Sequence, residues 1–175
     1  PVQHDRQVCF YNPARRTVTL KVLLGVNKDV WADNGNFDGP DNITVSPYGG
    51  LVIAEDGEGL QHLFGATDSG RTYPIARNEL NIGSEAEPEY SEFTGVTFSP
   101  DGKTLYVADI HDNTVSPVDL TTGKAEPAIP VGPSPFNVVA APDGRPVYVS
   151  DSGGSTIPPI DTATTPTKPT LLVTG

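Results

Sequence analysis

Oxygen donors are the side chains of this 175-residue chain best arranged for chemistry. Asn34, Asn36, Asp38 and Gly39 stand at the 1, 3, 5 and 6 spacing of a calcium-binding loop, where short oxygen-bearing side chains converge on a hard cation and a Gly allows the sharp turn. Position 12 of such a loop is Val45 rather than Glu, so the segment is no EF-hand, and the same residues equally suit a solvated Asn/Asp/Gly turn. Glu55-Asp56-Gly57-Glu58 is a second acidic cluster; Asp56 reads as a turn residue and Glu55 as a metal candidate. His4, His62 and His111 share no metal-ligand spacing and read as surface or strand residues. Ser46 and Ser99 each precede a Pro and have no visible His partner to activate a nucleophile. Arg71 and Arg77 have the fork geometry that grips phosphate, and Arg77, beside an acidic stretch, is the better candidate for substrate binding. Trp31 reads as packing against a sheet face. The single Cys9 excludes an internal disulfide.

The elements that must position these residues are strands. With 18 Gly and 18 Pro, the chain has no window long enough for a helix that escapes both breakers while keeping an i, i+3, i+4 apolar pattern. Apolar residues come instead in runs of four to seven, rich in Val, Ile, Thr, Phe and Tyr and closed by Pro-Asp-Gly, Gly-Gly or Asn/Asp clusters. A formal net charge of −11 argues against nucleic acid as a partner, because that affinity comes from Lys and Arg neutralising phosphates; it permits bound cations. No apolar stretch reaches the roughly 18 residues a membrane span needs.

The chain repeats itself. Segments 40–75, 92–132 and 134–175 align on Pro47, Pro100 and Pro142, which are 53 and 42 residues apart, and on Asp56, Asp109 and Asp151, each nine residues further on. This alignment places Glu55 opposite Ala108 and Ser150. Each unit reads as four strands: a buried run before the Pro, a second run ending near that Asp, a third after a polar turn and an outer fourth. That is the blade of a β-propeller, and the fold class expected is all-β. The expected organisation is a single propeller domain or fragment over 1–175: a half blade at 4–25, blades at 40–76, 92–132 and 134–175, and an acidic insert at 77–91. A propeller is stabilised by closing its ring. Three and a half blades do not close one, so the expectation is a further chain segment completing the ring, a homo-oligomer or an open array, the first being favoured. Pro117, Pro158 and Pro159 fall in third strands, where a Pro removes a ladder hydrogen bond. Asn42-Ile43-Thr44 is a glycosylation sequon in a first strand expected to be buried.

Residues 9 to about 109 resemble the PhoX-type bacterial alkaline phosphatases. The residues that carry this are FDGPDNITVSPYGGLVIAEDGEG (37–59), HLFG (62–65), ARNEL (76–80) and SEFTGVTFSPDGKTLYVAD (91–109). From His111 onward the chain is similar to YVTN-type propeller repeats, in DNTVSPVDLTTGKAEPAIPVG and PDGRPVYVSDSGGSTIPPIDTAT. The resemblance implies a secreted or periplasmic bacterial protein whose central channel holds calcium and iron and hydrolyses a small phosphorylated substrate. Because innermost strands start at the channel, it nominates Asp41 and Asn42 of the first unit and Glu92 of the second as metal ligands, Glu92 in SEFTG above all. The third unit has Ser134, Pro135 and Phe136 there and offers no carboxylate. Cys9 lies in CFYNP rather than in the Thr-Cys-Glu-Glu setting of the family's iron ligand and is not assigned to metal. The rival reading is a non-catalytic YVTN-like propeller acting as a binding or surface-interaction module. A propeller lactonase or lyase lacks a supporting His–Glu constellation in the sequence.

Overall fold

The computed structural model describes residues 6–25, 37–57, 59–154, 157, 159–162 and, as backbone, 168–169, and every regular element among them is a strand. A hairpin of β1 (Gln7–Asn12) and β2 (Thr17–Leu23) precedes three antiparallel sheets. The first sheet has β3 (Pro40–Val45), β4 (Leu51–Glu55), β5 (Gln61–Ala66) and β6 (Thr72–Asn78) in sequential order. In the second, β7 (Phe93–Phe98), β8 (Thr104–Asp109) and β9 (Thr114–Asp119) are followed by two short pieces, β10 (Lys124–Ala125) and β11 (Ile129–Pro130), that both pair with β9. The third runs β12 (Pro135–Ala140), β13 (Val147–Asp151), β14 (Pro159–Asp161) and β15 (Lys168–Pro169).

Strand alternation explains the stacking of these sheets. Successive side chains point to opposite faces, so a second strand that is apolar at every position serves two interfaces. Along β4, Ile53 joins Phe64, Val22 and Leu24 under the β1–β2 hairpin, whereas Val52 and Ala54 meet Val96, Leu105 and Val107 of the next sheet. Along β8, Leu105 and Val107 face back, whereas Tyr106 and Ala108 face forward onto Val138, Val147 and Val149. Each fully buried Val, Leu, Ile or Phe in these layers contributes about 1.5–3 kcal/mol. Thr94, wholly buried where β7 and β12 approach, donates its hydroxyl to the Pro135 carbonyl at 2.8 Å.

Three sequence expectations are corrected. The aligned acidic position is Glu55, not Asp56: Pro40 pairs with Glu55, Phe93 with Asp109 and Pro135 with Asp151. The cause is hairpin length. The turn closes from Ser46 to Gly50 in the first sheet but from Ser99 to Thr104 and Ala141 to Pro146 in the others, one residue longer. The first strand is also less buried than expected, since Ile43 is 47% and Val45 73% exposed. Finally, Pro117 does not disrupt its ladder to β8. Its carbonyl accepts from Glu126 N on the outer side, so its ring nitrogen also faces outward, where the outer strand breaks into β10 and β11. Pro159 opens β14, a first-strand-position that needs no ladder donor; Pro158 lies outside the described residues.

Candidate functional site

In all three sheets the innermost strand slips register close to its first residue, between Pro40 and Asn42, Phe93 and Val96, and Pro135 and Asn137. A bulge of this kind frees a side chain from the pleat and re-aims it. The freed residue in β3 is Asp41, which is exposed, with half-buried Asn42 beside it. Gly39, with φ +48°, is what lets the chain enter β3 here: its carbonyl accepts from Asp56 N at 2.6 Å, and a Cβ on Gly39 would collide with the Asp56 carbonyl. Asp56 is thereby held at the end of β4 with its side chain in solvent. Glu92 stands one residue ahead of β7, half-buried, its carbonyl facing Ile110 N at 3.4 Å.

Glu92 senses the other two carboxylates. Burial, and after it the charges of Asp56 and Asp41, push Glu92 up from its ordinary 4.5 to about 7. Loss of solvation and like-charge neighbours both disfavour the ionised form. A divalent cation is the partner that reverses the second cause, and carboxylate and amide oxygens are the donors calcium prefers. Among the described residues, no group of three or more His, Cys, Asp or Glu is already drawn close enough to hold an ion; the fit is one of charge and donor type.

The other sequence candidates are placed elsewhere. Glu55 is buried with both oxygens engaged: Oε1 accepts from Asp38 N at 2.7 Å, and Oε2 lies 3.0 Å from His62 N and 2.7 Å from His62 Nδ1. It ties the entry to β3 onto β5, and it makes the one buried His–Glu pair among the described residues, a constellation the sequence reading did not find. His62 packs edge-on against Phe37, 5.5 Å between centroids, so it is a buried strand residue and not a surface one. Asp38 turns its carboxylate against the Gly57 backbone. The remaining members of its loop-like spacing, Asn34 and Asn36, lie outside the described residues, as do Trp31 and His4. Arg77 sits on the outer strand β6, paired with Glu79 and facing a 460 Å³ cavity it shares with Leu60, Pro88 and Tyr90. That is three strand spacings, about 14 Å, from the strand of Asp41. Ser46 and Ser99 bond within their own turns, to Tyr48 N and to Asp101 Oδ1 and Thr104 N. His111 is exposed, 3.3 Å from Ser91 Oγ.

Asp109 occupies the position of Glu55 in the second sheet. Burial pushes it up to about 6, against hydrogen bonds from Ser116 at 2.7 Å and Thr114 that pull it down. Asp56 is the member of the acidic trio that the sequence left as a turn residue. Its signal was present in the shorter first hairpin, Pro47-Tyr48-Gly49-Gly50, which moves the repeated acidic position back by one.

Comparison with known proteins bears on this geometry. The family model described as "Alkaline phosphatase PhoX" matches residues 2–112, more than half of the chain. A search of curated proteins finds no match. Among solved structures, the chain is similar to the hydrazine synthase of Kuenenia stuttgartiensis, with 25% identity, a TM-score of 0.59, and coverage of 84% of this chain and 38% of that one. It is similar to the periplasmic gluconolactonase of Pseudomonas aeruginosa at 15% identity and a TM-score of 0.66, covering 94% and 47%. An auxiliary nutrient binding protein from Bacteroides ovatus matches at 12% identity and a TM-score of 0.67, covering 98% and 38%. The chain thus spans half or less of the length of these structures. Likenesses at these identities establish the fold, a β-propeller portion.

Proposed function

The chain belongs to the PhoX alkaline phosphatase family, and from that premise we propose that it forms part of a calcium-dependent phosphoester hydrolase, with Glu92, Asp41 and Asp56 as the carboxylates that hold the cation and Asn42 as a neutral oxygen donor beside them. The single observation carrying this reading is that Glu92, half-buried just ahead of β7, is disfavoured as a carboxylate first by burial and then by the charges of Asp56 at the end of β4 and Asp41 in β3.

Calcium, when bound, supplies positive charge against the phosphoryl oxygens of an ester. The chain's own part is to present oxygens and to manage one proton. Below about pH 7 the Glu92 carboxyl carries a proton, and a protonated carboxyl is a poor ligand, so occupation of the site releases that proton. Ligand competence therefore rises through neutrality, in keeping with work at alkaline pH. Glu55 and Gly39 act one step back: they fix the turn after β4 against the entry to β3, which sets the separation of Asp56 and Asp41. The donors proposed here suit calcium rather than iron. Cys9, the chain's one thiol, lies exposed on β1, and the two charges that act on Glu92 are carboxylates. Arg77 is no part of this site, because Glu79 already pairs with its guanidinium. A small phosphate monoester as substrate and a secreted or periplasmic location follow from the family and belong to this reading.

The test is hydrolysis of a chromogenic phosphate monoester with calcium and with chelator, in the chain and in Glu92→Gln. The expected result is calcium-dependent turnover that the substitution reduces at least tenfold, the order of effect that loss of a ligand environment has on metal affinity or activity. Rates indistinguishable from buffer under both conditions would favour the non-catalytic, YVTN-like binding module.

A further inference from the structure

The three sheets allow one position to be compared under different cover. Ile43, Val96 and Val138 each follow the bulge of an innermost strand and hold equivalent places in the register. Val96 is 3% and Val138 2% exposed, whereas Ile43 is 47% exposed. What buries the first two is the second strand of the preceding sheet: Val52 and Ala54 of β4 lie with Val96, and Tyr106 and Ala108 of β8 lie with Val138. Among the described residues, what precedes β3 is the β1–β2 hairpin. Its Val22 and Leu24 cover Ile53 and Phe64, further from the axis, and leave β3 bare.

The hairpin itself has a matching deficit. The third strands β5, β9 and β14 pair on both sides, while β1, among the described residues, pairs only with β2. Among the described residues, then, nothing forms a ladder with the other edge of β1. Between β1 and β3 runs a groove of 560 Å³, apolar in most of its lining, with Cys9, Phe10, Ile43 and Val45 among its walls. A long exposed edge beside an apolar trough is the arrangement that accepts an added strand.

We propose that this groove is a docking site for a β-hairpin of inner-strand chemistry. Its second strand would add to the free edge of β1 and lay two apolar side chains, spaced by two, over Ile43, as Val52 and Ala54 do over Val96; its first strand would lie over Val45. The occupant is thus an alternating Val/Ile/Phe/Tyr hairpin turned by Pro-x-Gly, continuing an interface this chain already builds twice. The free edge of β1 and the groove do not depend on the proposed metal site.

Cys9 makes the test direct, because it is the sole cysteine, is exposed and lines the groove. The probe is a synthetic peptide with the sequence of Phe93–Asp109, and the readout is the rate at which a bulky maleimide modifies Cys9 of the full chain. Saturating peptide is expected to slow modification by about tenfold or more. It should fail to do so in Ile43→Asp and Val45→Asp, each checked by its circular dichroism and melting curve to be folded like wild type, and a scrambled peptide should give no protection. Unchanged modification of the wild-type chain would overturn the proposal. So would equal protection of Ile43→Asp, which marks non-specific association. Protection without peptide, in step with dimer formation by sedimentation, would overturn it in favour of a second copy of this chain.

Discussion

Replacing Glu92 by Gln removes an ionisable group whose charge the fold disfavours, and stability should respond in a defined pH window. In the unfolded chain Glu92 loses its proton near its ordinary 4.5; in the folded chain it holds it until about 7. Between those values the folded state binds more protons, so stability falls as pH rises and the whole penalty is present above about pH 7. Taken whole, 2.5 units at 1.36 kcal/mol each would be about 3 kcal/mol. Glu92 is only half-buried, and solvent screening lowers this to about 1–2 kcal/mol. For a chain of this length that corresponds to about 3–6 °C in melting temperature. The assay is thermal unfolding followed by circular dichroism from pH 4 to 8.5 in chelator. Glu92→Gln should melt above wild type at pH 8, with the gap closing toward pH 4. Added calcium should narrow the gap at pH 8 by stabilising wild type alone. A gap independent of pH, or a variant less stable than wild type at pH 8, would refute the reasoning.

Two further outcomes concern the frame around the site. Phe64→Ala empties the layer between the hairpin and the first sheet, where Phe64 is fully buried and stacked on Phe37 at 4.6 Å; chemical denaturation should show a loss of about 3–5 kcal/mol. Glu55→Ala strands the donors at Asp38 N and His62; it should cost about 2–4 kcal/mol and weaken calcium binding by loosening Asp56, whereas Glu55→Gln, which keeps one acceptor oxygen, should lose less of both.

The fold was legible because its punctuation and its apolar runs agree. Pro-x-Gly turns fix where each first hairpin bends, and runs such as LVIAE and TLYVAD, apolar on both faces, have no stable place except between two layers. Register was less legible. Counting nine residues from each Pro treats all three hairpins as equal, and the backbone closes the first one a residue early, which turns Glu55 inward and leaves Asp56 in solvent. The burial of His62 was hidden for a similar reason: its partner Glu55 is seven residues away across a turn, a separation with no meaning until β4 and β5 pair. Pro117 looked like a defect because a sequence does not say which side of a strand its nitrogen faces. Of the acidic trio, Glu92 and Asp41 could be named from the family motifs they sit in. The charges of Asp56 and Asp41 acting on Glu92 belong to the geometry alone.

Calcium titration by calorimetry at pH 8, on metal-stripped wild-type chain and on the Asp41→Asn/Glu92→Gln double variant, tests the central claim most directly. Wild type should bind one ion saturably, and the variant at least about tenfold more weakly. Absence of binding to wild type, or equal affinity in the two proteins, would contradict that claim.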